Sequence, residues 1–279
     1  MTCVWCGKKS KKIFHARVRW KNLSSTWYRC ASCGSLMMSP RPSQREIKKF
    51  YESGYRNKIQ AHGIDYRLRY SKKYQPTVFN GYLLSLIDVG ISKAHVDSVL
   101  DFGCADGIFL EFAKKYFGQK TVLYGTDVSD EMMDVARKRG LNVSPLHALE
   151  SLGRKFDIII LWDVIEHIEN PKKVIALLKK MLTPKGRIVI QTPRVGELAY
   201  ALSENWEHLL PLQHINLASK NGMEQFAKRM RLEIILHKSF GANAPASAVK
   251  KPFKNVFDQL AKKLDFGSEQ VLSLRKKKD

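Results

Sequence analysis

Four of the five cysteines fall in two short pairs, Cys3-x2-Cys6 and Cys30-x2-Cys33, separated by 23 residues. Each pair offers two thiolates from one loop. Two such loops can close a tetrahedral Zn2+ site while the segment between them returns as a hairpin. This constrains residues 1–40 more than any other feature. The stretches KIFHARVRW and TWYRC alternate polar and apolar residues around KNLSS, as the strands of a zinc ribbon do. Gly7 and Gly34 follow the second cysteine of each pair, where a tight turn favours positive φ. Four thiolates leave no open coordination position, so Zn2+ on Cys3, Cys6, Cys30 and Cys33 is expected to be structural. A redox function or a disulfide set would compete, and an intracellular chain disfavours the disulfides.

The intracellular expectation has its own grounds. The longest apolar run, near IIILW at 158–162, is far short of the ~20 residues a bilayer-spanning helix needs, and MTCVWCGKKS lacks an apolar signal core. At 279 residues and 44% hydrophobic content the chain can bury one sizeable catalytic domain plus a small appendage, which argues against a disordered or fibrous protein. The net charge of +22 is unevenly spread: +15 on residues 1–73, −5 on 95–170 and +12 on 171–279. A mildly acidic centre suits a neutral or cationic ligand, and basic flanks suit an anionic surface, unless they are simply solvated lysine faces.

After the ribbon, SPRPS at 39–43 breaks the chain, and Ser43 can cap a helix through QREIKKFYES. Residues 41–93 read as a helical lid or linker. Tyr51, Tyr55, Tyr66, Tyr70 and Tyr74 are interleaved there with Lys and Arg, either to stack bases or, more simply, to pack over the next domain. At 96–102, VDSVLDF is an apolar run that ends in the turn GCADG and continues into the amphipathic IFLEFAKKYF. In such a strand, loop and helix the glycines let backbone approach a ligand, and the helix start leaves N–H donors unpaired. A second strand, TVLYGTDVS at 121–129, ends in Asp127, placed to accept hydrogen bonds from a ribose diol.

Residues 98–110, SVLDFGCADGIFL, resemble motif I of the class I S-adenosylmethionine-dependent methyltransferases, usually written D-x-G-C-G-x-G, with Ala105 where glycine is usual. The segments RKFDIIILWDVIEHIENP, LTPKGRIVIQTPR and HINLASKNGMEQFAKRMRLEIILHKSF follow in the family's order, with a turn expected at Pro184, Lys185 and Gly186. GSEQVLSLRKK is suited to the closing antiparallel strand. The resemblance implies an α/β fold over 94–279, a Rossmann-like seven-stranded, mostly parallel sheet with helices on both faces. It also implies S-adenosyl-L-methionine as cofactor. Gly103, Cys104 and Gly107 would line its methionine end, Asp101 would hold the loop, Asp127 would take the ribose and Val128 would lie against adenine.

The run D-V-I-E-H at Asp163, Glu166 and His167 resembles the E-x-x-E-H segment of quinone-biosynthesis O-methyltransferases, whose acidic residues and histidine sit close to a divalent ion and the substrate hydroxyl. These three residues are the catalytic candidates, with His167 as base. Trp206, His208 and His214 are candidates for the acceptor wall. The expected acceptor is a small molecule, a lipid-linked intermediate or a glycan, methylated on oxygen or on carbon. The basic amphipathic segment 248–266 (Phe253, Val256, Phe257, Leu260, Leu264 among lysines) could bring a cytoplasmic enzyme to an anionic membrane. An RNA methyltransferase is the alternative, favoured by zinc and by the basic N-terminus. It lacks support at Asp163-Val164-Ile165-Glu166, where base-amino methylation uses N/D-P-P-Y/F. A non-catalytic cofactor-binding module is a third reading, and oligomeric state is not legible.

Overall fold

A computed structural model describes residues 2–9, 11–20, 23–43, 45–47, 73–241 and 259–277. Tyr51, Tyr55, Tyr66, Tyr70 and the first part of the 248–266 segment lie outside the described residues. The chain divides into two compact units, one of residues 1–42, 162–176 and 190–279 and the other of 43–161 and 177–189.

In the first unit the cysteine knuckles turn as their glycines require: Gly7 and Gly34 have φ of 75° and 82°, and their N–H groups bond the carbonyls of Cys3 and Cys30. Between the knuckles, β1 (Lys12–Trp20) and β2 (Leu23–Cys30) form an antiparallel hairpin with a bulge between Phe14 and Ala16. The short strand β3 (Leu36–Met38) pairs with β2 and, on its other edge, with β9 (Asn216–Ser219), Leu36 facing Leu217. The ribbon is thus continuous with a sheet built from residues far along the chain. Trp5 packs edge-on against Phe226, Tyr200 donates to the Gly34 carbonyl at 2.8 Å, and the Ser219 N–H donates to Ser35 Oγ at 3.0 Å.

The second unit carries the parallel sheet. Strands β4 (Ser98–Phe102), β5 (Val122–Asp127), β6 (Val143–Pro145) and β7 (Phe156–Trp162) run in the order β7-β4-β5-β6, all parallel, with β8 (Leu182–Val195) next to β7. Near-continuous burial of β4 and β7 explains their unbroken apolar sequences, since a parallel sheet is covered on both faces. Helix α1 (Gln75–Asp88) lays Phe79 and Tyr82 against Phe109 and Phe112 of α2 (Ile108–Phe117). Helix α3 (Asp130–Lys138) begins at Ser129, whose Oγ accepts the Met132 N–H, and α4 (Pro171–Lys180) follows β7. Ser43 and Glu46 form a reciprocal capping box ahead of the described helical residues 45–47.

Strand β8 has residues in both units and corrects one expectation. Pro184, Lys185 and Gly186 form no turn but lie inside the strand. Gly186 serves close approach instead, because a Cβ there would stand 2.8 Å from the Phe156 carbonyl oxygen. In the first unit the rest of the chain adds α5 (Glu197–Leu202), α6 (Lys220–Arg229) and the antiparallel pair β10 (Leu232–Phe240) and β11 (Glu269–Lys276), with β11 beside β8. Strands β4 to β7 pair in parallel in the second unit, as the resemblance implies, and β10 and β11 pair antiparallel in the first.

Candidate functional site

The loop after β4 is shaped by left-handed backbone. Gly103, Ala105 and Gly107 have φ of 83°, 44° and 82°. The N–H groups of Gly103 and Cys104 are tied to the Thr126 carbonyl at the end of β5, at 2.7 and 3.0 Å. Asp127 holds the loop from the side: its two carboxylate oxygens accept the Ala105 N–H at 2.8 Å and the Ser129 N–H at 2.9 Å. Burial pushes the Asp127 carboxyl above its usual range, and these backbone donors pull it back part of the way. Asp101 is buried and is pushed up by burial, reinforced by the charges of Asp127 and Asp106.

Cys104 packs with Leu110, Met133, Ala136 and Val143, and burial drives its thiol well above the ordinary value. It is a core residue, unsuited to act as a nucleophile. Gly107 is held for two reasons, since its φ favours glycine and a Cβ would stand 2.2 Å from Leu141 Cδ1. Gly107 also starts α2 without a side-chain cap, leaving backbone donors at the helix N-terminus. Val128 is 70% exposed at the end of β5.

A second polar cluster lies in the first unit, after β7. Asp163 has φ of 52° and is exposed, and the turn Ile165–His167 carries Glu166 inward to complete burial. Glu166 Oε2 accepts the Thr192 hydroxyl at 2.9 Å, whereas its Oε1 has no hydrogen-bond partner. His167 Nδ1 is 2.7 Å from the Gln213 carbonyl, and its Nε2 is 3.9 Å from Glu166 Oε1. The His214 ring lies 4.9 Å from that of His167, with His214 Nδ1 2.7 Å from the His208 carbonyl. His208 Nε2 in turn is 3.2 Å from Glu269 and 3.4 Å from Glu207.

Burial dominates the electrostatics of this cluster. It raises the carboxyls of Glu166 and Glu269 well above their usual range, with the charge of Asp163 adding to both. It lowers the three imidazoles, His208 to about 4, so they are neutral at physiological pH. Of the sequence candidates, the structure brings Glu166, His167, His208 and His214 together. Trp206 packs against His208 at 5.0 Å, and Glu269 and Thr192 are members the sequence reading missed. No local signal marks Glu269, which arrives on β11 about a hundred residues after the motif.

The four ribbon cysteines are buried and unbridged, with Sγ separations of 3.7 Å for Cys3–Cys33 and for Cys6–Cys30. All four Sγ atoms lie within 4.8 Å of one another, and Zn–S bonds of about 2.3 Å in a tetrahedron require sulfurs about 3.8 Å apart, which these two separations match.

The family profile described as Methyltransferase domain matches residues 60–237. The chain belongs to that family. It is 32% identical over 122 residues to a ubiquinone biosynthesis O-methyltransferase of Pasteurella multocida, covering 37% of this chain and 49% of the relative. It is 33% identical over 131 residues to the enzyme of that name from Shewanella halifaxensis, covering 43% and 54%. The chain thus spans about half the length of the curated relatives it matches. Among solved structures it resembles the plantazolicin methyltransferase BpumL, in complex with a pentazolic desmethylPZN analog and SAH, at TM-score 0.55 and 18% identity over 85% of this chain and all of that one. It also resembles a chain in the complex between the Haloferax volcanii Trm112 methyltransferase activator and a putative methyltransferase, at TM-score 0.54 and 14% identity over 84% and 98%. At these identities the likeness concerns the fold, which is that of the class I S-adenosylmethionine-dependent enzymes.

Proposed function

We propose that the protein transfers a methyl group from S-adenosyl-L-methionine to a hydroxyl of a small-molecule acceptor, with lipid-linked intermediates and glycans as the wider acceptor class. The observation that carries this is the left-handed loop 103–107 at the carboxyl end of β4, fastened to the Thr126 carbonyl and to Asp127 at the end of the neighbouring parallel strand, which is where such sheets bind a nucleoside. Gly103, Cys104 and Gly107 would approach the methionine end through backbone. Asp101 would support the loop, Asp127 would keep lone pairs for ribose hydroxyls, and Val128 would cover adenine. Support for the acceptor comes from the ubiquinone O-methyltransferases that the chain resembles and from its D-V-I-E-H run.

Methyl transfer from a sulfonium is an in-line displacement, so alignment supplies much of the rate and the acceptor oxygen must lose a proton. Asp163, exposed at the carboxyl end of β7, is our candidate for meeting that oxygen. His167 has one nitrogen committed to Gln213 and the other turned toward Glu166, which suits it to hold a cation more than to abstract a proton. The unpaired, buried Glu166 Oε1 fits such a cation. When bound, a divalent ion there would supply Lewis acidity that lowers the pKa of an acceptor hydroxyl. Zn2+ on the four cysteines would be structural. No helix among the described residues is long and apolar enough to cross a membrane.

Two measurements test the reading. Calorimetric titration with S-adenosylmethionine should show binding that Asp127→Asn weakens at least about tenfold, since one uncharged acceptor replaces a carboxylate at the ribose. Incubation with methyl-labelled cofactor and an extract from cells lacking the protein should then place label in a small-molecule, lipid or glycan fraction. Label confined to RNA would replace our acceptor class, and absence of cofactor binding would overturn the reading altogether.

A further inference from the structure

We propose that Arg41, in the tail that leaves the cysteine ribbon, is a positioning residue: with Asn216 it holds residues 165–170, the turn that presents Glu166 and His167. The purpose of this hold rests on the methyl-transfer reading, but the hold itself can be tested without any methylation.

The turn is short and closes on itself only locally, the His167 N–H bonding the Val164 carbonyl at 3.0 Å and the Ile168 N–H the Ile165 carbonyl at 3.3 Å. Its other carbonyls are taken up from outside. The Glu166 carbonyl accepts the Ile215 N–H at 3.0 Å, the Ile168 carbonyl accepts Asn216 Nδ2 at 2.8 Å, and the Glu169 carbonyl accepts Arg41 Nη1 at 3.1 Å. Arg41 Nη2 also donates to Asn216 Oδ1 at 2.8 Å. Arginine offers donors and no acceptor, so this bond turns the oxygen of the buried Asn216 amide toward Arg41 and its nitrogen toward the turn. Without the guanidinium nothing distinguishes the two ends of that amide, and a flipped amide would set oxygen against the Ile168 carbonyl.

The hold originates in the ribbon. Arg41 follows β3 by three residues, and β3 pairs Leu36 with Leu217 and Met37 with Asn216, while the Met38 N–H donates to the Ile215 carbonyl at 3.1 Å. Ile215 and Asn216 thus take the ribbon on one side and carry the turn on the other. All of these residues belong to the first unit.

The geometry also calls for arginine in particular. Both acceptors are neutral oxygens on different elements, and a planar guanidinium meets them with two nitrogens at a fixed spacing, whereas an ammonium is a point charge without that fork. A cation serving only to offset the thiolate of Cys3, which lines the same cavity as Arg41, would need no such pair of acceptors. His167 shows what is at stake, because its Nδ1 lies 2.7 Å from the Gln213 carbonyl and moves with the turn. Misplacing a reacting group by about 1 Å costs on the order of 100-fold in rate.

The experiment compares Arg41→Ala and Arg41→Lys with Arg229→Ala, because Arg229 bonds the Val4 and Trp5 carbonyls of the first knuckle and makes no such bond to the turn. The direct readout is the NMR signal of the His167 Nδ1 proton, assigned by its absence in His167→Gln. In Arg41→Ala we expect wild-type affinity for S-adenosylmethionine and unchanged metal on the cysteines, a His167 signal that shifts or is lost to exchange, and methyl transfer slowed at least about tenfold. Guanidinium chloride at non-denaturing concentration should restore part of that rate, and sodium chloride at the same ionic strength should not, since the removed side chain borders a cavity of about 350 Å³ that can admit the ion. Arg41→Lys should fall between Arg41→Ala and the wild type. Where Arg41→Ala fails to fold, Arg41→Lys carries the same comparison. A His167 signal that stays in place without the guanidinium overturns the proposal whatever the rate. Equal losses in Arg229→Ala overturn it too, because any loosening of the ribbon would then have the same effect. A wild type that transfers no methyl group would count against the methyl-transfer reading alone, and the His167 signal would still decide whether Arg41 holds the turn.

Discussion

Ala105 and Gly107 sit two residues apart in one loop and show opposite relations between residue type and backbone. Both have positive φ, at 44° and 82°, but only Gly107 is the residue such a conformation favours. Left-handed backbone costs a side-chain-bearing residue roughly 1–2 kcal/mol, and replacing alanine by glycine loosens the unfolded chain by about 0.4–1 kcal/mol. Ala105→Gly is therefore expected to stabilise the protein by up to about 1 kcal/mol, read as a higher urea midpoint at unchanged slope. A drop of more than about 1 kcal/mol would show that the Ala105 methyl group packs more tightly than its backbone is strained. Gly107→Ala should cost about 1–2 kcal/mol from left-handed backbone alone, with the Leu141 methyl having to move aside as well. The loop motif alone marked Gly107 as a position of close approach to ligand. That Leu141 also excludes a side chain there was not legible, since nothing in the motif says which later residue packs on it.

At the scale of elements, the strands buried on both faces were the most legible. β4 and β7 are unbroken apolar runs, and β5 ends at the acidic residue expected of it. Pro184-Lys185-Gly186 carries the composition of a turn, yet the chain stays extended because Gly186 must pass close to the Phe156 carbonyl. Composition reports what a turn tolerates, and here the same residues answer to packing. The pair β10 and β11 holds a further element-level consequence in His237. Its Nε2 bonds Gln270 Oε1 at 3.0 Å, its Nδ1 is buried without a partner, and burial lowers its pKa below the ordinary value. The folded state thus keeps His237 neutral while the unfolded chain takes up a proton as pH falls through about 6.5. Its contribution to stability is fully present above that pH and is lost as pH falls toward the folded-state value. Urea unfolding at pH 7.5 and 5.5 should show stability lost at the lower pH, with a smaller loss in His237→Gln. Equal losses in the two proteins would assign the acid sensitivity to other buried histidines.

At the scale of the whole molecule, the cysteine spacing announces a ribbon but not what the ribbon is for. Its third strand pairs with β9 almost two hundred residues later, and Trp5, Gly34 and Ser35 are bound to Phe226, Tyr200 and Ser219. Hydrophobic periodicity cannot reveal such a pairing, because β3 and β9 are three and four residues long and each is buried throughout. The same long-range bonding makes the ribbon metal a matter for the first unit as a whole. Thiolates that converge without an ion repel one another, and metal affinity is folding free energy for the structure that holds the ligands. Chelation at neutral pH should therefore raise amide hydrogen exchange at 36–38 and also at 216–219, while 98–102 and 122–127 in the second unit keep their protection. If exchange rose only within residues 1–40, the ribbon would be an appendage that opens by itself. If it rose everywhere at once, the two units would unfold as one cooperative body. The intermediate outcome is the one expected from strand β3, whose backbone bonds pass directly from the cysteine hairpin into the sheet of the first unit.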